Sequence, residues 1–242
     1  RTRSWKIRGA STATFPCKNA MLQEAPSPLA LFHALSIPYE LRRSFMPLTS
    51  AHVAVVQALM DAAQAHVQGD VVLANALFTQ ADEPSMADYV LRIIGKIDVV
   101  IHRQARTPDA ALLIAKALQA GMPSSVEQQQ IFERDGWHCR CCGVPVVCSR
   151  ARTRLSACYT AVRWGKRNVE RHAGIFALMA SLDHALPRSR GGGNEASNLL
   201  TVCWPCQFGR MDWTYEEVQM ADPRVCPVHP RLAGWKGLTQ CR

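Results

Sequence analysis

Apolar residues recur at helical spacing through much of the first half of the chain. Met86, Tyr89, Val90, Ile93, Ile94, Ile97, Val100 and Ile101 follow the i, i+3, i+4, i+7 pattern, which places them on one face of a helix, and Ser85 is available as its cap. A second helix is predicted after Thr49-Ser50, with Val53, Val56, Leu59, Met60 and Ala63 on one side. Turn signals stand at Met46-Pro47, Gly69-Asp70, Glu83-Pro84 and Thr107-Pro108, so residues 28–122 read as a helical accessory region whose stripes form a core. In the second half, Ser124 or Ser125 can cap a short helix through Phe132-Glu133-Arg134. Farther on, Leu182 to Val202 reads as strand, glycine loop and strand, with Gly191-Gly192-Gly193 as the loop. Pro205 then sits just inside the start of a short helix containing Cys206 to Asp212. The pattern predicts an α+β fold: a helical N-terminal region followed by a ββα unit.

Composition narrows the class. The chain has 242 residues, 48% hydrophobic and 19% charged, enough for one large domain or two small ones, and it excludes collagen-like and wholly disordered readings. No repeat of 20 to 50 residues and no low-complexity tract is present. The most apolar stretch, Tyr89 to Val100, is interrupted by Arg92, Lys96 and Asp98, so no membrane-spanning helix and no membrane partner are expected. Residues 1–27 form a basic segment expected to be poorly ordered. A remnant of an organelle-targeting peptide would share its Arg-rich, acid-poor character, and the segment lacks the apolar core of a secretory signal. With 28 Lys and Arg against 19 Asp and Glu, the net charge is +9, the balance of a protein with a polyanionic partner.

Charge and sulfur are both concentrated after Gly121-Met122-Pro123, which sets a domain of residues 123–242 apart. Every cysteine except Cys17 lies there, and His138 to His172 holds eight Lys or Arg against Glu170 alone. Two C-x-x-C pairs stand out, Cys139/Cys142 and Cys203/Cys206. Two such pairs on tight turns can converge four thiolates on one tetrahedral zinc. About 60 residues separate the pairs, against about 15 to 20 in compact zinc modules, so an insertion must loop out between them. Cys141 leaves the first pair open to a Cys139/Cys141 assignment, although a two-residue gap suits a knuckle better. A disulfide framework is the rival reading. The missing secretory signal and the unpatterned remaining cysteines favour reduced thiols and a cytoplasmic, reducing location.

The residues from about Phe132 to Trp213 resemble the HNH endonucleases, in the zinc-bearing form of bacterial and phage type. There one C-x-x-C precedes, and a second follows, an Asp-His...Pro-x-Ser-x-Gly-Gly...Asn-x-x-x-Asn-Leu core, matched here by Asp183-His184, Pro187-Arg188-Ser189, the glycine loop and Asn198-Leu199. A weaker echo runs from Thr214 to Leu238. The resemblance implies a zinc-stapled ββα-metal domain that hydrolyses DNA phosphodiester bonds, leaving a 5'-phosphate and a 3'-hydroxyl. It implies His184 as general base, Asp183 as ligand of a catalytic Mg2+ or another divalent cation, and Asn198 as the residue that fixes the loop and orients His184 by hydrogen bonding. The third metal position, His or Asn in the family, is Gln207 here. Arg188, Arg190 and Arg210 are candidates for phosphate contacts. The same residues serve two other readings: a zinc-stabilised nucleic-acid-binding module that has lost cleavage because of Gln207, and a zinc scaffold for protein contacts.

Overall fold

A computed structural model describes residues 43–94 and 123–241. The basic segment 1–27, Cys17 and the part of the longest predicted helix after Ile94 lie outside the described residues. The predicted helices at 50 and 86 form as α1 (Ser50–Gln68) and α3 (Pro84–Ile94), with α2 (Val71–Gln80) between them. Gly69, at φ 80°, ends α1 in the left-handed conformation, and its N–H bonds the carbonyl oxygens of Ala65 and His66. Asp70 then caps α2, its Oδ1 accepting from Leu73 N at 2.9 Å. α3 starts two residues earlier than expected: Ser85 lies inside its first turn, and the Glu83 carboxylate accepts the Ser85 N–H at 3.1 Å. Its buried face comprises Met86, Tyr89, Val90 and Ile93.

The second half begins with α4 (Ser125–Arg134), where Ser124 and Glu127 form a reciprocal capping box. Then come α5 (Ser149–Cys158) and α6 (Ala173–Leu178). β1 (Ala180–His184) and β2 (Leu199–Cys203) pair antiparallel, with Asp183 opposite Leu200 and His184 opposite Leu199. The short helix α7 (Trp204–Arg210) follows without a gap and carries Pro205 in its first turn, as the sequence predicts. Mixed helix with a two-stranded sheet makes the fold α+β. Among the described residues no helix is long and apolar enough to cross a membrane.

One continuous core runs from Phe45, Leu59, Phe78 and Ile93 through Leu155, Phe176 and Val202 to Trp235 and Leu238. The described helices of the first half therefore pack on the same core as the second half. The C-terminal segment clasps the first cysteine pair: Arg140 Nη2 donates to Pro223 O at 2.6 Å, His229 Nε2 lies 3.1 Å from Cys141 O, and Trp235 Nε1 donates to Val146 O at 3.0 Å.

Two histidines hold the helical layer in their neutral form. His172 caps α6, with Nδ1 accepting the Ile175 N–H at 3.1 Å and Nε2 2.8 Å from Phe78 O. His52 Nδ1 accepts the Thr49 N–H at 3.1 Å. Burial pushes both imidazoles down to about 4 from an ordinary 6.5. Above pH 6.5 neither the folded nor the unfolded chain protonates them. As the pH falls from 6.5 towards 4 the unfolded chain gains protons that the folded chain refuses, so the stability they provide is lost across that window. The gap in unfolding free energy between the wild type and a His52→Gln/His172→Gln double variant should therefore narrow steadily from pH 7 to pH 4 in urea titrations. A gap that stays constant would show that these imidazoles do not titrate with folding.

Candidate metal centre and ββα site

Cys139 lies on a hairpin-like turn closed by Gly143 N to Cys139 O and Cys139 N to Val144 O, both at 2.9 Å. Gly143 sits at φ 81°, and a Cβ there would lie 2.6 Å from the His229 ring, so both conformation and space require glycine. Arg140 N donates to Thr201 O at 2.8 Å, which ties this turn to β2 just before the second pair. The result brings Cys139, Cys142, Cys203 and Cys206 together, with all four Sγ atoms within 4.8 Å of one another. Cys142 and Cys203 stand 3.6 Å apart. A tetrahedral zinc with bonds of about 2.3 Å separates its sulfurs by about 3.8 Å, so the cluster fits a structural metal such as zinc. Cys141 is not one of the four: its Sγ lies 3.5 Å from the Tyr215 hydroxyl. Every cysteine among the described residues is a free thiol.

The thiol electrostatics agree with a shared ligand set. Burial opposes ionisation of Cys139, yet hydrogen bonds from Cys141, Cys142, Cys203 and Cys206 outweigh it and push its thiol well down. Burial, and hydrogen bonding to the same cluster, push Cys203 well up. For Cys206 the hydrogen bonds lead and burial adds to them. Without a cation, one thiolate is held by its neighbours, and a dication is what would let all four ionise.

β1 and α7 build the second part of the site. Alternation along β1 sends Asp183 and His184 in different directions. Asp183 meets α7: its Oδ2 accepts from Arg210 Nη2 at 2.6 Å and Nε at 3.1 Å. Arg210 is 1% exposed. It also donates to His184 O at 2.6 Å and Trp213 O at 2.5 Å, with its guanidinium 4.6 Å from the centre of the Tyr215 ring. Arg210 is therefore buried rather than turned outward to a phosphate, because the desolvated carboxylate of Asp183 needs a countercharge. Burial pushes the Asp183 carboxyl up, with the Arg210 charge opposing. Arg210 is the only side chain hydrogen-bonded to Asp183 among the described residues. Gln207 donates from Nε2 to Leu182 O, the carbonyl preceding Asp183, at 3.2 Å. A carboxylate and an amide carbonyl are oxygen donors of the kind a hard dication takes, while the four cysteines are the metal-type ligand cluster among the described residues.

His184 turns to the glycine loop, with Nε2 2.8 Å from Asn194 Oδ1. Asn194 is the residue that sequence reasoning missed. It follows the glycines directly and is the first Asn of the Asn-x-x-x-Asn-Leu core, a place in the pattern that could have flagged it. Asn198, expected to fix the loop and orient His184, fixes the loop: its Oδ1 accepts Leu186 N at 2.8 Å, and its Nδ2 donates to Leu186 O at 3.1 Å and Gly193 O at 2.9 Å. Asn194 makes the bond to the imidazole. Of the other expected phosphate contacts, Arg190 is paired with Glu217 at 2.5 Å, and Arg188 is half-buried in the short turn Arg188–Arg190.

Gly192 shows how tightly the loop closes. A Cβ there would lie 1.8 Å from Leu186 O and 2.8 Å from Asn198 Nδ2. Gly192→Ala should force the loop off Asn198 and destabilise the fold by roughly 1 to 3 kcal/mol, read by urea denaturation. An unchanged midpoint would show that the loop relaxes at no cost.

Comparison with protein-family models, with curated proteins and with solved structures finds no match.

Proposed function

We propose that the protein is a metal-dependent endonuclease of the HNH type, which hydrolyses DNA phosphodiester bonds around a zinc-stapled ββα unit. The observation that carries this reading is His184. Its Nε2 is taken by Asn194 Oδ1, while its Nδ1 has no hydrogen-bond partner among the described residues. In the neutral imidazole with the proton on Nε2, Nδ1 carries the lone pair that a general base needs. His184 Nδ1 removes a proton from water as the water oxygen attacks phosphorus. The bond from phosphorus to the 3' oxygen breaks and that oxygen takes a proton from solvent water, leaving a 5'-phosphate and a 3'-hydroxyl. Asn194 holds the ring, Asn198 holds the loop that carries Asn194, and Arg210 holds the Asp183 carboxylate. A Mg2+ or similar ion, with Asp183 and Gln207 as its protein ligands, would supply charge stabilisation to the phosphate and leaving oxygen. Zinc in the four-cysteine cluster supplies no chemistry to this reaction. It joins the turn before the insertion to the ββα unit.

A second reading is favoured by Gln207, whose amide N–H is turned to Leu182 O: a zinc-stabilised module that binds nucleic acid without cutting it. Nicking of supercoiled plasmid decides between them. The zinc-loaded chain should nick with Mg2+ or Mn2+ and not without added dication, and His184→Ala should not nick. Salt-sensitive DNA binding with no nicking under any of these conditions would favour the noncatalytic module.

A further inference from the structure

Between the first cysteine pair and β1 the chain inserts α5 and the loop to α6. Residues 149–172 carry seven Lys or Arg against one acid, Glu170. Glu170 is taken by Arg167 at 2.6 Å, and Arg163 pairs with Asp82. Arg150, Arg152, Arg154 and Lys166 have no carboxylate partner among the described residues. Arg171 donates to Asn168 Oδ1 at 2.9 Å and to backbone carbonyls.

Arg152 and Arg171 converge on one indole. Their guanidinium carbons lie 4.6 and 5.2 Å from the centre of the Trp164 ring, and a backbone bridge between Trp164 and Arg171 sets the second approach. Arg152 Nε is buried with no hydrogen-bond partner. A stack serving only the fold would give its second guanidinium a carboxylate or carbonyl. Arg152 has neither, and two like charges beside one ring are left uncompensated. Burial, and then the Arg171 charge, push the Arg152 pKa down, the direction that a bound anion would reverse.

The aromatic row continues from there. Trp164 and Trp204 lie 5.9 Å apart, and Trp204 and Phe208 5.7 Å. Arg171 also lies over Trp204 at 5.5 Å. The row ends at Phe208, 43% exposed on α7, the helix that carries Gln207 and Arg210. An acidic protein surface would use the cations but not the ring faces, whereas nucleic acid uses both.

We infer that this face is a second nucleic-acid site, where Arg152 and Arg171 take phosphates of one strand and Phe208 stacks an unpaired base. The inference rests on the nuclease reading only for the identity of the polyanion, since binding here does not require cleavage.

The test uses zinc-loaded His184→Ala chain and a fluorescent single-stranded DNA oligonucleotide, with anisotropy measured across a salt series and a duplex in parallel. Adding Arg152→Gln should weaken single-strand binding roughly tenfold and lower the salt slope by about 0.7 for each phosphate that is no longer neutralised. Arg171→Gln should act in the same direction, whereas Arg150→Gln with Arg154→Gln, exposed on the opposite side of the helix, should weaken binding far less. Phe208→Ala should weaken the single strand about tenfold and the duplex far less. Unchanged affinity and slope in Arg152→Gln and Arg171→Gln, with zinc content intact, would overturn the site. Poly-aspartate competing as well as the oligonucleotide would assign the face to an acidic protein and overturn it too. If wild type fails to nick while Arg152→Gln still weakens binding, the nuclease reading fails and this site stands. If wild type nicks while the variants bind as before, the nuclease reading stands and this site fails.

Discussion

Cys203→Ser should release the structural metal and unfold the second half of the chain, the largest loss of stability expected from any single side chain here. The purified wild type should carry one zinc per chain, and the variant none. Structural zinc in small zinc-finger peptides contributes roughly 10 to 16 kcal/mol of apparent binding energy to folding. Even a third of that lowers the melting temperature by about 10 °C or more in a protein of this size. Cys203 makes the effect severe because it holds three places at once. It is the last residue of β2, it stands before the first residue of α7, and it is one of the four sulfurs. Losing the metal also removes one of the ties between the turn at Cys139 and β2, leaving the Arg140 N–Thr201 O bond. Cys141→Ser is the control: with Cys141 turned to Tyr215, it should keep its zinc. A Cys203→Ser protein that retained full metal content and melted with the wild type would refute the four-cysteine centre. Zinc lost from Cys141→Ser alone would move the ligand to Cys141.

His184→Ala should lower the rate of plasmid nicking by roughly 100- to 10,000-fold, the range that a positioned general base contributes. Zinc content and melting temperature should change little by comparison, because the side chain bonds only Asn194 among the described residues. Asn194→Ala should fall between wild type and His184→Ala, with the loss in kcat rather than KM, since it leaves the base present but unoriented. Arg210 separates a structural from a chemical effect. Removing it leaves the Asp183 carboxylate buried without its countercharge, at about 3 to 5 kcal/mol, so Arg210→Met should fail in stability before it fails in activity. If His184→Ala nicked at the wild-type rate, His184 would not be the base. If it lost its zinc, the histidine would have a structural role.

What the sequence determined by itself is what short-range rules reach. Helical periodicity marked α1 and α3, because a 3.6-residue period shows in any single turn. Ser124 or Ser125 marked the start of α4, and Pro205 the start of α7, because capping acts within one turn; the structure chose Ser124. Strand, glycine loop and strand were legible as 182–202, and the two-residue gap between cysteines selected four ligands that the fold does bring within 4.8 Å. Ser85 missed its place by two residues, Glu83 having taken the capping bond. Tertiary structure decided everything that depends on which distant groups share a low-dielectric space. Arg210 reads in the sequence as one more cation on a basic chain. It is buried against Asp183, 27 residues away, because a desolvated carboxylate takes the nearest cation that the ββα packing delivers. His184 finds Asn194 rather than Asn198 because the loop closes onto Leu186 O at Gly192. Arg152 and Arg171 meet on Trp164 because the insertion folds back over α7, and no local pattern records which charges such a fold leaves without an opposite.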